Sequence, residues 1–394
     1  MLRRLPLGFV GVFAAAIAIA ACSSSNATQT ISVGPNFPSQ SLYAAVVSQN
    51  AVSIYATGSP APKSTAGPLY EIGGGSTTIA GPQYLTFDSS SDLWVTNWLA
   101  STSAGGILEF KALATGNVLP FQSFSLGAIR PRGIVRFPLI FSGTTTSTDI
   151  LAVAITDPSQ PAAFNSGIEF YTASFISGGP YSLIAGPATG LNVPGGIAVD
   201  NVSPEPNIYV ANMQGASVTE YTLPSASPTA SPTATPTASP SPTPTPTGAT
   251  ATPSPTVAPT ATPANIAPVA TVVGPSTGIN QPTAVAIDGK NYLYVADQNS
   301  SVCTPNCPAI LIFAPLTAGT NSAAPYKFIA GKSTLLVAPT DVKVDNNGYI
   351  YVADEVNGMG VIYVFAPYAT ASGNVAPIAT LNSPGAVIGL GLTP

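Results

Sequence analysis

The 394-residue chain contains no histidine. That removes Ser-His-Asp and Cys-His nucleophile arrangements, histidine general bases and histidine metal ligands together. Carboxylate, amide, guanidinium, phenol and thiol remain. An Asn or Asp recurs directly after an aromatic-Val-Ala or aromatic-Val-Thr run, at Asn97, Asn212, Asp297 and Asp354. Oxygen ligands of this kind, drawn from several segments, suit Ca2+, which takes about six to eight of them; the same residue types at strand ends are also routine turn formers. Arg130 and Arg132 flank Pro131. Asp341 and Lys343 are spaced to share one face of a strand, and with Arg136 they are the unusual charges in otherwise apolar runs. Such charges more often pair structurally than catalyse, and a solvated channel site is the alternative.

Cys303-Thr-Pro-Asn-Cys307 holds two of the three cysteines. The spacing fits a short-loop disulfide in an oxidising compartment. A structural zinc site would need more N or S ligands than stand nearby, and a redox pair would need a basic neighbour to lower a thiol pKa.

The elements that must position these groups are written repeatedly. Pro282-Thr-Ala-Val-Ala-Ile-Asp288, Leu293-Tyr-Val-Ala-Asp297 and Ile310-Leu-Ile-Phe313 are matched by Pro339-Thr-Asp-Val-Lys-Val-Asp345, Ile350-Tyr-Val-Ala-Asp354 and Val361-Ile-Tyr-Val-Phe365. Short runs rich in Val, Ile, Tyr and Phe, bounded by Gly, Pro, Asn and Ser, read as strands buried on both faces. A fourth run follows, seen at 181–185, 269–273 and 326–330. Four strands per copy, repeating at roughly 40 to 50 residues, predict an all-β fold, a β-propeller. Pro82, Pro131, Pro194, Pro282 and Pro339 open full blades, while Pro384 opens a lone terminal strand. The segment from Leu42 to Ile72 lacks a first strand, so the C-terminal strand is expected to pair into the N-terminal blade, closing a ring of six and removing an edge. Asp88, Asp200, Asp288 and Asp345 end inner strands and are expected to accept turn amides. Small residues at Gly196, Ala198, Ala284, Ala286 and Ala386 suit a narrow centre.

This pattern resembles the NHL-repeat family and, more loosely, the six-bladed propellers that include gluconolactonase and streptogramin-lyase relatives. The resemblance spans 42–394 and implies a binding surface. Streptogramin lyases depend on histidine, so their activity is not implied here, and the Glu, Asn and Asp metal set of the gluconolactonase relatives has no residue-by-residue match.

Arg3 and Arg4 precede the apolar run from Phe9 to Ala20, which ends in Ile19-Ala-Ala-Cys22. That layout is a secretory signal, too short to span a bilayer comfortably, and it looks like a bacterial lipobox with Cys22 as the lipidated residue. An ordinary cleaved signal is the alternative. Residues 1–21 are then a lipoprotein signal peptide and 22–41 a polar tether. Ser23 is not the Asp of inner-membrane retention, which points to the outer membrane of the cell envelope. Residues 225–263, almost wholly Ser, Pro, Thr and Ala, cannot form a core and read as a disordered loop leaving the fourth blade. A glycosylated or wall-penetrating segment and a neutral length variation are both open.

Charged residues are 7% of the chain and the net charge is -5, against roughly 25% charged in ordinary soluble domains. With no basic stripe to neutralise phosphates, nucleic acid is not an expected partner. Two functions are expected to compete. One is a non-enzymatic envelope lipoprotein whose propeller binds an extracytoplasmic protein or glycan, with Asn97, Arg130, Arg132, Asn212, Asp297 and Asp354 as the ligand rim, no catalytic residue and no cofactor. The other is a Ca2+-dependent, lactonase-like hydrolase using carboxylates on the same face.

Overall fold

A computed structural model describes residues 40–57, 67–140, 145–174, 179–200, 206–223 and 263–393. The expected signal peptide, Cys22 and almost all of the tether and of the Ser/Pro/Thr segment lie outside these residues. Six sheets each contribute one blade of four antiparallel strands, and two of them add a short parallel strand at the outer edge. The second blade runs Pro82–Phe87, Leu93–Leu99, Ala104–Phe110 and Gln122–Gly127 from the axis outward. The third runs Arg130–Ile140, Ser147–Thr156, Ser166–Thr172 and Ser182–Ala185. The fourth runs Pro194–Val199, Asn207–Asn212, Ser217–Thr222 and Ala270–Val272, with the Ser/Pro/Thr segment between its last two strands. In the fifth the order is Pro282–Ile287, Leu293–Ser300, Cys307–Phe313 and Lys327–Ala330, and in the sixth Pro339–Val344, Ile350–Val356, Met359–Phe365 and Ala379–Asn382.

The first blade takes its inner strand from the C-terminus. Val387–Leu392 pairs with Ser41–Val46, followed by Ala51–Ala56 and Tyr70–Gly73. Ser41 and Thr393 exchange hydrogen bonds, with Thr393 N donating to Ser41 O at 3.0 Å and Ser41 N to Thr393 Oγ1 at 2.8 Å. The closure anticipated from the lone terminal strand is present, and among the described residues no innermost strand is left unpaired.

Apolar side chains from facing blades interleave between them, as where Phe137, Ile150 and Phe170 of the third blade meet Ile197, Val210 and Tyr221 of the fourth. Towards the axis the inner strands approach so closely that side chains vanish. A Cβ on Gly196 would lie 2.6 Å from the Ala284 Cβ, and one on Gly133 would lie 2.6 Å from the Gly195 carbonyl oxygen. Tyr84 reaches across the narrow part, its hydroxyl 3.3 Å from both the Thr283 and Thr340 carbonyls, and a cavity of about 220 Å³ remains between the inner strands, among Phe87, Val135, Val199, Ile287, Lys343 and Leu392.

The Asp residues ending inner strands act as expected. Asp288 Oδ1 accepts the Lys290 and Tyr292 amides while Oδ2 accepts the Tyr294 hydroxyl, and Asp345 repeats this with Asn347, Tyr349 and Tyr351. In the third blade, where Arg136-Phe137 replaces that Asp, the inner strand instead continues to Ile140. Two further repeats emerge. A glycine at φ between +111 and +130 opens a turn whose Thr, three residues on, donates back to its carbonyl: Gly74 and Thr77, Gly186 and Thr189, Gly274 and Thr277, Gly331 and Thr334. Only glycine adopts that backbone freely. The segments Gly116-Asn117-Val-Leu-Pro120, Ala264-Asn265-Ile-Ala-Pro268 and Gly373-Asn374-Val-Ala-Pro377 each reach back to the preceding blade. There the Asn Oδ1 accepts the amide of Ser76, Ala188 or Ser333 at 2.7–2.8 Å. Gly116 and Gly373 bridge to Ile72 and Ile329, and Pro263–Ala264 pairs with Leu183 and Ile184, so these segments cover outer edges that would otherwise present unpaired amides. Pro263, the last residue of the expected loop, is already part of that pairing.

Candidate ligand face of the ring

The face on which inner strands begin, here the upper face, carries the residues singled out by their spacing. Register explains why they recur: Asn97, Asn212, Asp297 and Asp354 sit opposite the strand-opening prolines Pro82, Pro194, Pro282 and Pro339. All four are buried, and Asp297 and Asp354 have no exposed surface. Asp297 accepts amides from Asn280, Gln281 and Asn299, and Asp354 accepts those of Val337, Ala338 and Glu355. Asn212 accepts the Asn192 amide and donates to Ser217 and Thr219. Asn97 donates to Thr78 O at 3.2 Å, and its Oδ1 is buried without a partner. Each thus holds the loop entering its own blade. Burial raises the pKa of both aspartates, and the amides they accept only partly offset that.

The oxygens of Asn212, Asp297 and Asp354 are spent on backbone amides, Asn97 Oδ1 alone is left over, and no hydrogen bond links one of the four to another. They do not form the convergent oxygen shell that Ca2+ requires.

Arg130 and Arg132 are different. They flank Pro131 at the start of the third blade's inner strand, half buried, with no carboxylate partner among the described residues. Arg132 Nη1 reaches the Met213 sulfur at 3.3 Å, the Arg130 guanidinium lies 5.7 Å from the Trp98 ring centre, and the Nε of both is buried without a partner. Burial lowers the pKa of both, and for Arg132 the neighbouring Arg130 charge adds to it.

The other charges of the inner strands are paired with an opposite charge, although the Arg136 Nε is also buried without a partner. Asp341 is fully buried, accepting the Leu390 amide at 2.7 Å and facing Lys343 Nζ at 3.2 Å. Arg136 is bonded to Asp149 on the adjacent strand. Cys303 and Cys307 form a disulfide with Cα atoms 5.7 Å apart, beyond the second strand of the fifth blade.

Sequence reasoning did not single out a cluster on the opposite, lower face, between the second and third blades. Asp88, Asp92 and Glu109 bring carboxylate oxygens within 4.8 Å of one another, in the wall of a cavity of about 440 Å³. These are the ligand types of a divalent-cation site, and Lys111 Nζ lies 2.8 Å from both Asp92 and Glu109. A protein ammonium therefore already supplies positive charge there. Its signal in the sequence was faint: an Asp four residues after a turn Asp, and a Lys two residues after a strand Glu.

The chain is thus a six-bladed β-propeller closed by its own C-terminal strand. No family model matches it, and no curated protein matches its sequence. Among solved structures it is similar to a luciferin-regenerating enzyme, at 10% identity over 84% of this chain and 89% of that one, with a TM-score of 0.45. It is also similar to the Dos1 propeller, at 9% identity over 82% of this chain and 64% of the other, TM-score 0.38. A PQQ-bound aldose sugar dehydrogenase from Streptomyces coelicolor is 12% identical over 80% and 82% of the two chains, TM-score 0.38. Likeness at this level transfers neither ligand nor chemistry.

Proposed function

We propose that this protein is a non-enzymatic, NHL-like binding scaffold of the bacterial cell envelope, held to the outer membrane through lipid on Cys22 and offering its upper face to an extracytoplasmic protein or glycan. One observation carries the binding reading: Asp297 and Asp354 are committed to backbone amides and so are not free for catalysis, while Arg130 and Arg132 meet no carboxylate among the described residues. Support for the address comes from the charged, apolar and small-residue order of residues 3–22 and from the low charge of the chain.

Fractionation tests the anchor. Wild-type protein is expected in the membrane fraction with a diacylglyceryl mass on Cys22, and Cys22→Ala in the soluble fraction; unmodified wild-type protein in the soluble fraction refutes the anchor. The competing Ca2+-dependent lactonase-like reading draws support from Asp88, Asp92 and Glu109. Thermal unfolding in EDTA and in millimolar Ca2+ separates the two, because a ligand at one hundred times its Kd stabilises by about 2.7 kcal/mol. A Ca2+-dependent rise together with lactone hydrolysis would overturn the scaffold.

A further inference from the structure

We propose that Arg130 and Arg132 form a receptor for an oxyanion group, carboxylate or phosphate, carried by the ligand of the upper face; this rests on reading that face as a binding surface. Both arginines flank Pro131 where the third blade's inner strand opens onto the upper face, just before its register shifts, Arg130 leaning towards Trp98 of the second blade and Arg132 towards Met213 of the fourth. The other half-buried cations of the ring are matched: Lys111, Arg136 and Lys343 face carboxylates, and Lys327 Nζ donates to the Tyr368 and Ala369 carbonyls, while Lys290 and Lys332 are exposed to water. The arginine pair instead has a thioether sulfur, a weak acceptor, and an indole face, with no carboxylate among the described residues; the orphaned Nε of each is shared with Arg136 and is not what sets the pair apart.

Two like charges placed together and partly removed from water destabilise a fold, and their retention needs a compensating partner. An oxyanion reverses the repulsion, because a guanidinium fork matches two oxygens of a carboxylate or phosphate. The backbone beneath is stiffly held. Thr96 Oγ1 donates to the Arg132 carbonyl at 2.8 Å and accepts the Tyr84 amide at 3.0 Å, fixing the arginine strand against the second blade.

Inorganic phosphate and sodium galacturonate, titrated into the purified protein at constant ionic strength with chloride as reference, provide the probes. A saturable rise in melting temperature is expected with at least one, and at least a tenfold weaker apparent affinity in Arg132→Met and in Arg130→Met. A response to phosphate alone identifies a phosphate ester as the source, and a response to galacturonate identifies a uronic acid. In chloride alone, Arg132→Met is expected to melt no lower than wild type, because it removes an unpaired charge. No saturable response to either probe, an equal response in the variants, or a lower melting temperature of Arg132→Met in chloride would overturn the oxyanion receptor. None of these results bears on the Cys22 anchor or on Ca2+ and lactone hydrolysis, where the scaffold reading stands or falls.

Discussion

Replacing Asp354 by Asn tests whether the strand-end carboxylates hold loops. Asp354 Oδ1 accepts the Ala338 and Glu355 amides at 2.6 and 3.0 Å, and Oδ2 accepts the Val337 amide at 2.8 Å. An Asn that keeps its oxygen on Ala338 and Glu355 points its NH2 at the Val337 N–H, donor against donor. A donor left unsatisfied in a buried place costs about 1–3 kcal/mol. Loss of the carboxylate's own desolvation, which raises its pKa, offsets part of that, so Asp354→Asn is expected to lose about 2 kcal/mol. The fourth blade shows what an Asn needs here: Asn212 donates to Ser217, directly opposite it in register, and to Thr219. In the sixth blade the residue opposite Asp354 is Val361. Adding Val361→Ser should therefore return about 1 kcal/mol, the net worth of one hydrogen bond. Urea unfolding with a fitted m-value measures all three proteins. Asp354→Asn within 0.5 kcal/mol of wild type, or a double variant no better than the single one, would refute the loop-anchor account; the threshold is roughly the scatter of neutral surface substitutions.

Glu169 is buried, accepts the Tyr171 hydroxyl, and has its pKa pushed up to about 6 by burial. Its folded-state pKa exceeds the unfolded value of 4.5, so the protonated form favours folding: its contribution is complete below pH 4.5 and is lost as pH rises through about 6. The loss is at most about 2 kcal/mol at 1.36 kcal/mol per pKa unit, and Glu169→Gln should flatten this part of a stability-against-pH curve; an unchanged slope counts against it. Gly196→Ala forces a methyl to within 2.6 Å of the Ala284 Cβ and 2.7 Å of its Cα. Overpacking of this kind costs about 1–3 kcal/mol or more, and a melting temperature equal to wild type would mean that the inner strands can part.

The blades were legible because each is a local object. Four strands lie within one stretch of chain, their apolar runs are buried on both faces, and Pro, Gly and Asp punctuate them, so repetition of the stretch announces repetition of the sheet. Closure was legible for the same reason: Val387–Leu392 was a strand without partners and Ser41–Val46 a strand without an inner neighbour. The turn aspartates followed from their position alone, since Asp288 and Asp345 bond amides two and four residues away.

The candidate site was only half legible. Asn97, Asn212, Asp297 and Asp354 share a position that spacing revealed, but whether their oxygens face solvent or amides depends on how the loops 16 or 17 residues earlier fold back on Asp297 and Asp354. The edge-covering Asn117 and Asn374 were not singled out in the sequence, because their partners lie 41 residues away in another blade. Charge neutralisation is likewise a matter of three dimensions. Arg136 finds Asp149 across a strand pair and Lys111 finds Asp92 across a sheet, whereas Arg130 and Arg132, cations of the same kind, find no acid among the described residues. Local periodicity is enough to specify strands and their repetition. Burial, desolvation and the pairing of charge are set by the convergence of distant segments, which only the assembled ring brings about.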